Sequence, residues 1–167
     1  TPIAHLAALE GGVPFLNFFD GFRTSHQLEK IEVWAADDLK PLLNREALEA
    51  FRRSALHPAR PGSRGAAENG DIYFQHREGV NLRYAALPRV VERYMGEINR
   101  LLGTAYGLFE YEGAPDAERV IVAMGSFCDT VSEAVSHLNR QGERVGLVRV
   151  RLYRPFSKAH FLAVLPQ

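Results

Sequence analysis

The stretch ERVIVAMGSFCDTVSEAVSHLNRQGERVGLVRVRLYRPF, residues 118–156, decides the fold class. It starts with an apolar run that ends at Gly125-Ser126, which is typical of a buried strand followed by a turn. Residues 127–142 repeat apolar side chains at helical spacing and end at a glycine, so they predict an amphipathic helix. The apolar run that follows predicts a second strand. A strand, a helix and a strand of these lengths predict a βαβ unit with a right-handed crossover.

The helix of this unit should bury one face against the two strands. The side chains expected to face inward are Val131, Ala134, Val135 and Leu138. In the second strand, arginines at 149 and 151 interrupt an apolar series. Ser157 is then expected to cap a further helix over KAHFLAVL. Two strands alone cannot cover a parallel sheet, which predicts that the unit is completed elsewhere in a longer polypeptide.

The first hundred residues carry weaker signals. Residues 1–11 predict the end of a helix that is closed by Gly11-Gly12, and the nearly continuous apolar run at 13–19 predicts a strand covered on both faces. Asn44 is expected to cap the helix REALEAFRRSAL. Residues 57–71, rich in proline and glycine, predict a loop. The apolar repeat in LPRVVERYMGEINRLLG predicts a helix with Gly103 as its C-cap. The YGLFEYEG segment after it is expected to be extended.

The composition restricts the classes of function. The 167 residues carry 20 basic and 20 acidic side chains, so no net field favours nucleic acid or an anionic membrane. No apolar run approaches the roughly 20 residues that cross a bilayer. The one cysteine, Cys128, cannot form an internal disulfide or supply the set of thiolates of an iron–sulfur cluster. These features predict a protein of the reducing cytoplasm without nucleic-acid or membrane partners.

A polar cluster follows the apolar run at 13–19. Asp20, Arg23, Thr24 and His26 arrive where a strand of an open α/β sheet would end, which is where ligands bind in such sheets. Arg23 could pair with a carboxylate or phosphate, and His26 could transfer protons. The alternative, which we favour over direct catalysis, is a structural turn closed by an Asp20–Arg23 ion pair, with Thr24 or Ser25 as a cap.

Three other features have both a functional and a structural interpretation. Gly125-Ser126 could bind an anion at a helix N-terminus, although Ser126 as a simple helix cap is favoured. Cys128 could be an activated thiolate, although a small buried thiol is favoured. The basic residues Arg149, Arg151 and Arg154, next to Tyr153, could receive an acidic partner or a phosphate, and an interdomain contact is favoured. Four of the histidines show no metal-ligand spacing and are expected to be surface or hydrogen-bonded residues: His57, His76, His137 and His160.

Three separated stretches resemble pyruvate:ferredoxin (flavodoxin) oxidoreductases, which include pyruvate synthases. They are PFLNFFDGFRTSHQLEKIEV at 14–33, NGDIYFQHRE at 69–78, and the long stretch at 113–157. They occur in the order found in that family, and the resemblance extends over essentially the whole chain. The last stretch also resembles, more weakly, the C-terminal domain of transketolase-like enzymes.

The resemblance implies an activity for the parent enzyme. Members of this family cleave pyruvate oxidatively with coenzyme A and yield acetyl-CoA, carbon dioxide and low-potential electrons. Thiamine diphosphate with Mg²⁺ forms the reactive carbanion in these enzymes. Their 4Fe–4S iron–sulfur clusters carry the electrons to ferredoxin or flavodoxin, which the resemblance implies as partners of the parent enzyme.

The resemblance also divides the chain. Residues 1–36 resemble the C-terminal piece of the domain that faces the thiamine pyrimidine, 37–110 a helical linker, and 111–167 the start of a transketolase C-terminal-like domain. The expected fold class is α/β with parallel-sheet βαβ elements. The sequence contains neither the GDG motif with a downstream asparagine that holds magnesium diphosphate nor a C-x-x-C-x-x-C motif.

Two interpretations follow for the chain itself. The favoured one is an internal fragment that packs domains and contributes dimer contacts, with no catalytic residue, cofactor or metal of its own. Its partners would be the remaining domains of the parent enzyme and a second copy in a homodimer. The alternative is a stand-alone α/β module that holds a nucleotide-like ligand such as coenzyme A, using the βαβ junction and residues 57–71.

Overall fold

The computed structural model describes residues 1–22, 24–28, 30, 33–63, 65 and 67–166. The helices are α1 (Pro2–Gly11), α2 (Ala36–Leu39), α3 (Arg45–Arg53), α4 (Gly70–Leu102), α5 (Phe127–Arg140) and α6 (Lys158–Val164), and the strands are β1 (Phe109–Gly113), β2 (Arg119–Ala123) and β3 (Val145–Val150). The chain divides into a first unit, Thr1–Leu16 with Trp34–Tyr94, and a second unit, Asn17–Val33 with Met95–Gln167. Among the described helices, none combines the length and apolar character needed to cross a membrane.

Helices α1 and α3 of the first unit confirm the predictions made from their caps. Helix α1 ends at Gly12, whose φ of 61° lies in the left-handed region that glycine adopts without strain. At the start of α3, the Asn44 side-chain oxygen accepts a hydrogen bond from the Ala47 N–H at 3.0 Å. Helix α1 contacts α3, and Leu87 of α4 packs so closely on Gly11 that a Cβ atom there would force the Leu87 side chain to move.

Glu10 joins the three longer helices of the first unit. Its Oε2 accepts hydrogen bonds from the Tyr94 hydroxyl at 2.7 Å and from the Asn44 amide at 3.1 Å. Its Oε1 pairs with the Arg93 guanidinium. Desolvation disfavours the charged carboxylate, but the hydrogen bonds from Tyr94 and Arg93 outweigh it and lower the pKa of Glu10. Burial, followed by the hydrogen bond to Glu10, raises the pKa of Tyr94 to about 12.

Replacing Tyr94 with phenylalanine should destabilise the first unit by about 2 kcal/mol, because a hydrogen bond to a charged acceptor is lost while the ring stays in place. The folded-state pKa of Tyr94 is raised, so its hydroxyl contributes stability that is fully present below pH 10 and is lost as the pH rises towards about 12. The free energy of unfolding of the wild type, measured with urea, should therefore fall over that pH range, and that of the variant should fall less. Tyr73→Phe, at an exposed site on α4, is the control. If the free energy of unfolding fell equally with pH in the wild type and in Tyr94→Phe, the raised pKa of Tyr94 would be contradicted.

The strand predicted at residues 13–19 is wrong. In the described part of the chain this segment pairs with no strand, and Leu16, Phe18 and Phe19 are 84%, 58% and 75% exposed. A run of apolar side chains shows that a segment needs a covering surface, but strand geometry also requires a neighbour that pairs with its backbone groups. Pro14 cannot donate to such a ladder at all.

Helix α4 begins much earlier than its periodicity indicates. The apolar repeat at helical spacing predicts a helix over LPRVVERYMGEINRLLG, which starts at residue 87. The structure instead has a helix of 33 residues from Gly70, with Pro88 in its interior. The predicted loop therefore ends at residue 69, and His57 and Arg60 form an isolated bridge within it.

The second unit contains the predicted βαβ unit. Strands β2 and β3 are parallel, with Ile121 opposite Leu147, and α5 connects them. The extended segment predicted before them is β1, which lies antiparallel to β3 with Tyr111 opposite Val148. The strand order is β1-β3-β2, so β3 is central. The sheet is therefore mixed, and not wholly parallel as its βαβ signature predicts.

Helix α5 covers one face of this sheet. Its Cys128, Val131 and Val135 form a buried cluster with Val145 and Leu147 of β3. The prediction was right for the two valines of α5. It was wrong for Ala134 and Leu138, which are exposed, because the buried stripe runs through Cys128 instead.

Three aromatic rings lie at the β1 edge of the sheet. Phe109 of β1 meets Phe156 and Phe161 edge-on, with ring centroids 5.2 and 5.5 Å apart. Helix α6, which carries Phe161, contacts β1. Ser157 occupies the predicted cap position of α6. Its hydroxyl lies 2.6 Å from the His160 ring nitrogen Nδ1 and makes no cap to the helix backbone.

Candidate functional site

The junction between β2 and α5 is the strand-to-helix turn of the βαβ unit. Gly125 has a φ of 79°, a left-handed conformation that side chains other than glycine adopt only with strain. Helix α5 starts directly afterwards, and the Cys128 and Asp129 N–H groups bond to the carbonyls of Gly125 and Ser126. The N–H groups before the first helical turn are left for another acceptor, as at any helix N-terminus.

Asp20 supplies that acceptor. Its Oδ1 accepts a hydrogen bond from the Ser126 N–H at 3.2 Å, and its Oδ2 accepts one from the Ser126 hydroxyl. The Thr24 hydroxyl donates to the Ser126 oxygen at 3.2 Å, which completes a short chain of hydroxyl groups. A carboxylate is favoured at this position by the positive end of the helix dipole. The sequence predicts that the Ser126 side chain caps α5, and this is wrong, because the side chain makes no hydrogen bond to the helix backbone. It binds Asp20 instead.

These hydrogen bonds set the charge of the junction. The Ser126 hydroxyl, followed by the Ser126 backbone N–H, lowers the pKa of Asp20 below the ordinary aspartate value. Asp20 is therefore ionised at neutral pH. A Cβ atom added to Gly125 would lie 2.9 Å from Asp20 Oδ1, so the glycine also provides the room for the carboxylate.

His26, a further member of the predicted polar cluster, has its partner within its own turn. The His26 Nδ1 lies 2.5 Å from the Phe22 carbonyl oxygen, and the Ser25 hydroxyl donates to the same oxygen at 2.8 Å. His26 is thus engaged within its own turn, where its ring also meets the Phe22 ring edge-on. Arg23, and with it the proposed Asp20–Arg23 ion pair, lies outside the described residues.

The arginines of the βαβ unit are placed beside acidic side chains. Arg149 pairs with Glu112 of β1 at 3.2 Å and with Asp129 of α5 at 2.7 Å. Arg151 pairs with Glu110 of β1 through both carboxylate oxygens, the longer contact being 2.9 Å. The hydrogen bond to Asp129 is the main cause that raises the pKa of Arg149. Arg149 and Arg151 thus tie β1 and α5 to β3.

Two further candidates have simple surroundings. The Arg154 guanidinium lies 5.1 Å from the centre of the Tyr153 ring, a cation–π distance. Cys128 is a buried free thiol, as favoured from the sequence, and its burial raises the pKa of the thiol. In the residues that the structure describes, no group of three or more histidine, cysteine, aspartate or glutamate side chains is placed to hold a metal ion.

The sequence singled out both halves of the junction but not their contact. Asp20 and Ser126 are 106 positions apart, and no local pattern encodes such a distance. The negative charge of Asp20 was a usable signal, because a carboxylate complements the positive end of a helix N-terminus. Glu10 was missed altogether, since a single glutamate at the end of a helix is an ordinary surface residue in sequence.

These features define a mixed α/β protein with a helical unit and a unit built on a βαβ element. Residues 1–96 match the family model described as pyruvate flavodoxin/ferredoxin oxidoreductase, thiamine diphosphate-binding. Residues 117–166 match the model of the pyruvate:ferredoxin oxidoreductase core domain II. The chain belongs to the pyruvate flavodoxin/ferredoxin oxidoreductase family, as its resemblance implies.

Several curated relatives are similar over nearly the whole chain. The chain is 61% identical to a pyruvate-flavodoxin oxidoreductase of Klebsiella pneumoniae over all of its length, which is 14% of that relative. It is 54% identical to a pyruvate:ferredoxin oxidoreductase of Moorella thermoacetica, over 98% of this chain and 14% of that relative. The chain therefore spans about a seventh of the length of these relatives.

Proposed function

We propose that this chain is a segment of a thiamine diphosphate- and iron–sulfur-dependent pyruvate:ferredoxin (flavodoxin) oxidoreductase. The parent enzyme would convert pyruvate and coenzyme A into acetyl-CoA and carbon dioxide and pass electrons to ferredoxin or flavodoxin. The family membership and the names of relatives at 61% and 54% identity support this assignment. The residues 1–36, 37–110 and 111–167 remain our proposed divisions of the segment.

Two observations bear on where the cofactors of this activity bind. The Ser126 N–H at the βα junction, where a diphosphate oxygen could bind, is already bonded to Asp20. The acidic side chains of the described residues form no cluster that could hold Mg²⁺. We derive no catalytic step from this segment and propose that thiamine diphosphate, Mg²⁺, coenzyme A and the 4Fe–4S clusters are held by other parts of the parent enzyme.

The role that the geometry supports best is domain packing. Strand β2 lies at the edge of the sheet, and apolar side chains along it and just after it are 43% to 60% exposed: Ile121, Val122, Met124 and Phe127. An exposed apolar strand edge promotes association with another chain unless it is covered. The exposed apolar side chains of β2 are the observation that supports domain packing, and the remaining domains of the parent enzyme would cover them. We also propose that Arg149, Arg151 and Arg154 take part in interdomain contacts. The parent enzyme would form a homodimer.

A turnover assay tests the absence of independent catalysis. The 167-residue chain, mixed with pyruvate, coenzyme A, thiamine diphosphate, Mg²⁺ and an oxidised viologen dye, should leave the dye unreduced. The parent-length enzyme is the positive control. Dye reduction by the chain alone would contradict the proposal. Calorimetric binding of coenzyme A to the chain at millimolar ligand would also contradict it and would favour a stand-alone coenzyme A module.

A second experiment tests the packing role of β2. The double substitution Ile121→Thr and Val122→Thr keeps β-branched residues, and so the strand preference, at both positions but makes them polar. In the 167-residue chain it should change the free energy of unfolding by less than about 0.5 kcal/mol per site, because both side chains are half-exposed. In the parent-length enzyme it should lower the thermal midpoint by several degrees. Equal effects in the two contexts would show that no domain covers this edge.

A further inference from the structure

Helices α5 and α6 lie on opposite faces of the sheet. Side chains alternate between the two faces along a strand, and α5 packs on the face that carries Val145 and Leu147 of β3. The other face carries Val150, and Phe109 of β1 shares that face because it lies opposite Val150 in the register. Phe161 of α6 meets the Phe109 ring edge-on, with the ring centroids 5.5 Å apart. Helix α6 therefore covers the face that α5 leaves open.

The faces of the two helices determine the direction in which the chain crosses the sheet. A strand, a helix and a parallel strand are joined by a right-handed crossover in almost every known case. The crossover through α5 takes the chain from β2 to β3, towards β1. A right-handed crossover through a helix on the other face runs in the opposite direction, so the chain that leaves α6 is directed back towards β2. In the described part of the sheet, the first unoccupied position on that side lies outside β2.

The sequence of β2 is typical of an internal strand. Strands buried on both faces of a parallel sheet are nearly continuous apolar runs, whereas edge strands are commonly protected by charged residues. After Arg119, β2 and the next residue read VIVAM without a charge, and in the described residues β2 pairs only with β3. β1, at the opposite edge, carries Glu110 and Glu112, which pair with neighbouring arginines. The composition of β2 thus indicates an outer neighbour, and that of β1 indicates a sheet edge.

We propose that a fourth strand pairs in parallel with the outer edge of β2, and that it is the first strand the parent polypeptide forms after residue 167. The occupant of this edge is thus a segment of the same chain and not a second copy. The proposal rests on the proposed function in one respect, namely that the chain is part of a longer enzyme. It specifies which part of that enzyme covers the apolar side chains of β2. The relatives, of which this chain covers 14%, have the length to supply the strand.

Hydrogen exchange in the parent-length enzyme, resolved to single residues by mass spectrometry, tests the added strand. Successive N–H groups of a parallel strand point to opposite sides, so alternate N–H groups of β2 point away from β3. These outer N–H groups should exchange within about tenfold of the rate of those bonded to β3. The outer N–H groups of β1 are the control and should exchange about a hundredfold faster. Fast exchange at the outer side of β2, or protection of β1 alone, would overturn the proposal.

Photo-cross-linking in the parent-length enzyme identifies the occupant. The probe is p-benzoylphenylalanine in place of Met124, which follows β2 directly and is half-exposed. Because loops and strands are short, irradiation should join it to a peptide of the same chain within about 20 residues after residue 167. The same probe in place of Tyr106, just before β1, is the control at the other edge and should not capture that peptide.

Two cross-linking results would overturn the proposal. One is capture of a second copy, or of a distant peptide, by the probe at position 124. The other is capture of the peptide after residue 167 by the probe at position 106, since the strand would then lie beside β1. Reduction of a viologen dye with pyruvate and coenzyme A is measured on the same enzyme. An active enzyme that lacks the expected cross-link would overturn the strand and leave the proposed function intact, whereas a wild-type enzyme that shows the cross-link without activity would contradict only the proposed function.

Discussion

Replacing Leu147 with alanine should lower the free energy of unfolding of the second unit by about 3 kcal/mol. Leu147 lies in the central strand β3, has no exposed surface, and belongs to the buried cluster that α5 forms on the sheet. The substitution removes apolar contacts and leaves a cavity that strands on both sides of β3 prevent from collapsing. Urea unfolding followed by far-ultraviolet circular dichroism measures the change.

The control for this prediction is Leu28→Ala, the same chemical change at a fully exposed side chain just after the 3₁₀ turn Thr24–His26. It should alter the free energy of unfolding by less than about 0.5 kcal/mol. The expected difference between the two variants is the contribution of burial, since the side chains are identical. A cost below about 1 kcal/mol for Leu147→Ala would show that the cluster around β3 is not the core of the unit.

The elements that the sequence predicted well are those with strong local signals. The βαβ unit carries two apolar runs and a helical repeat between glycines, and each of these patterns is complete within a few residues. The cap of α3 is equally local, because Asn44 bonds to an N–H three positions away. Local patterns of this kind need no knowledge of the rest of the chain.

The predictions that were wrong depend on what lies next to a segment. The apolar run at 13–19 would be a strand only beside another strand, and in the described residues it has none. The start of α4 was misplaced because the apolar repeat used to predict it begins only at residue 87, although the helix extends upstream through Pro88 to Gly70. Neighbouring turns of a long helix can tolerate a proline at a cost that tertiary contacts offset.

The candidate site shows the same division between local and distant information. Gly125-Ser126 was identified as a helix N-terminus that could bind an anion, and Asp20 as part of a polar cluster. Their contact makes Asp20 the anion, which neither segment shows by itself. Arg149 and Arg151 were seen as a basic stretch, but their carboxylate partners on β1 and α5 follow only from how these elements pack on β3. Sequence thus identified reactive side chains and not the pairs they form.

Replacing Gly113 with alanine should have an effect as large as the loss of Leu147, about 3–4 kcal/mol of destabilisation. Gly113 ends β1 with a φ of 127°, a conformation that side chains other than glycine rarely adopt. A Cβ atom there would lie 2.5 Å from the Val145 carbonyl oxygen and 2.6 Å from the Gly146 Cα. Both are backbone atoms of the neighbouring strand, so they cannot turn aside as a flexible side chain would.

Substitutions at two other glycines separate the backbone strain of a positive φ from the steric overlap of the added Cβ. Gly142 also has a positive φ, 90°, but an added Cβ meets nothing within 4 Å, so Gly142→Ala should cost only about 1 kcal/mol of backbone strain. Gly79 lies in α4 with open space around it, and Gly79→Ala should stabilise its helix by about 0.5–1 kcal/mol. Chemical unfolding of the three variants should give this order. If Gly113→Ala cost no more than Gly142→Ala, the close approach of β1 to β3 at this position would be refuted, because only that contact distinguishes the two sites.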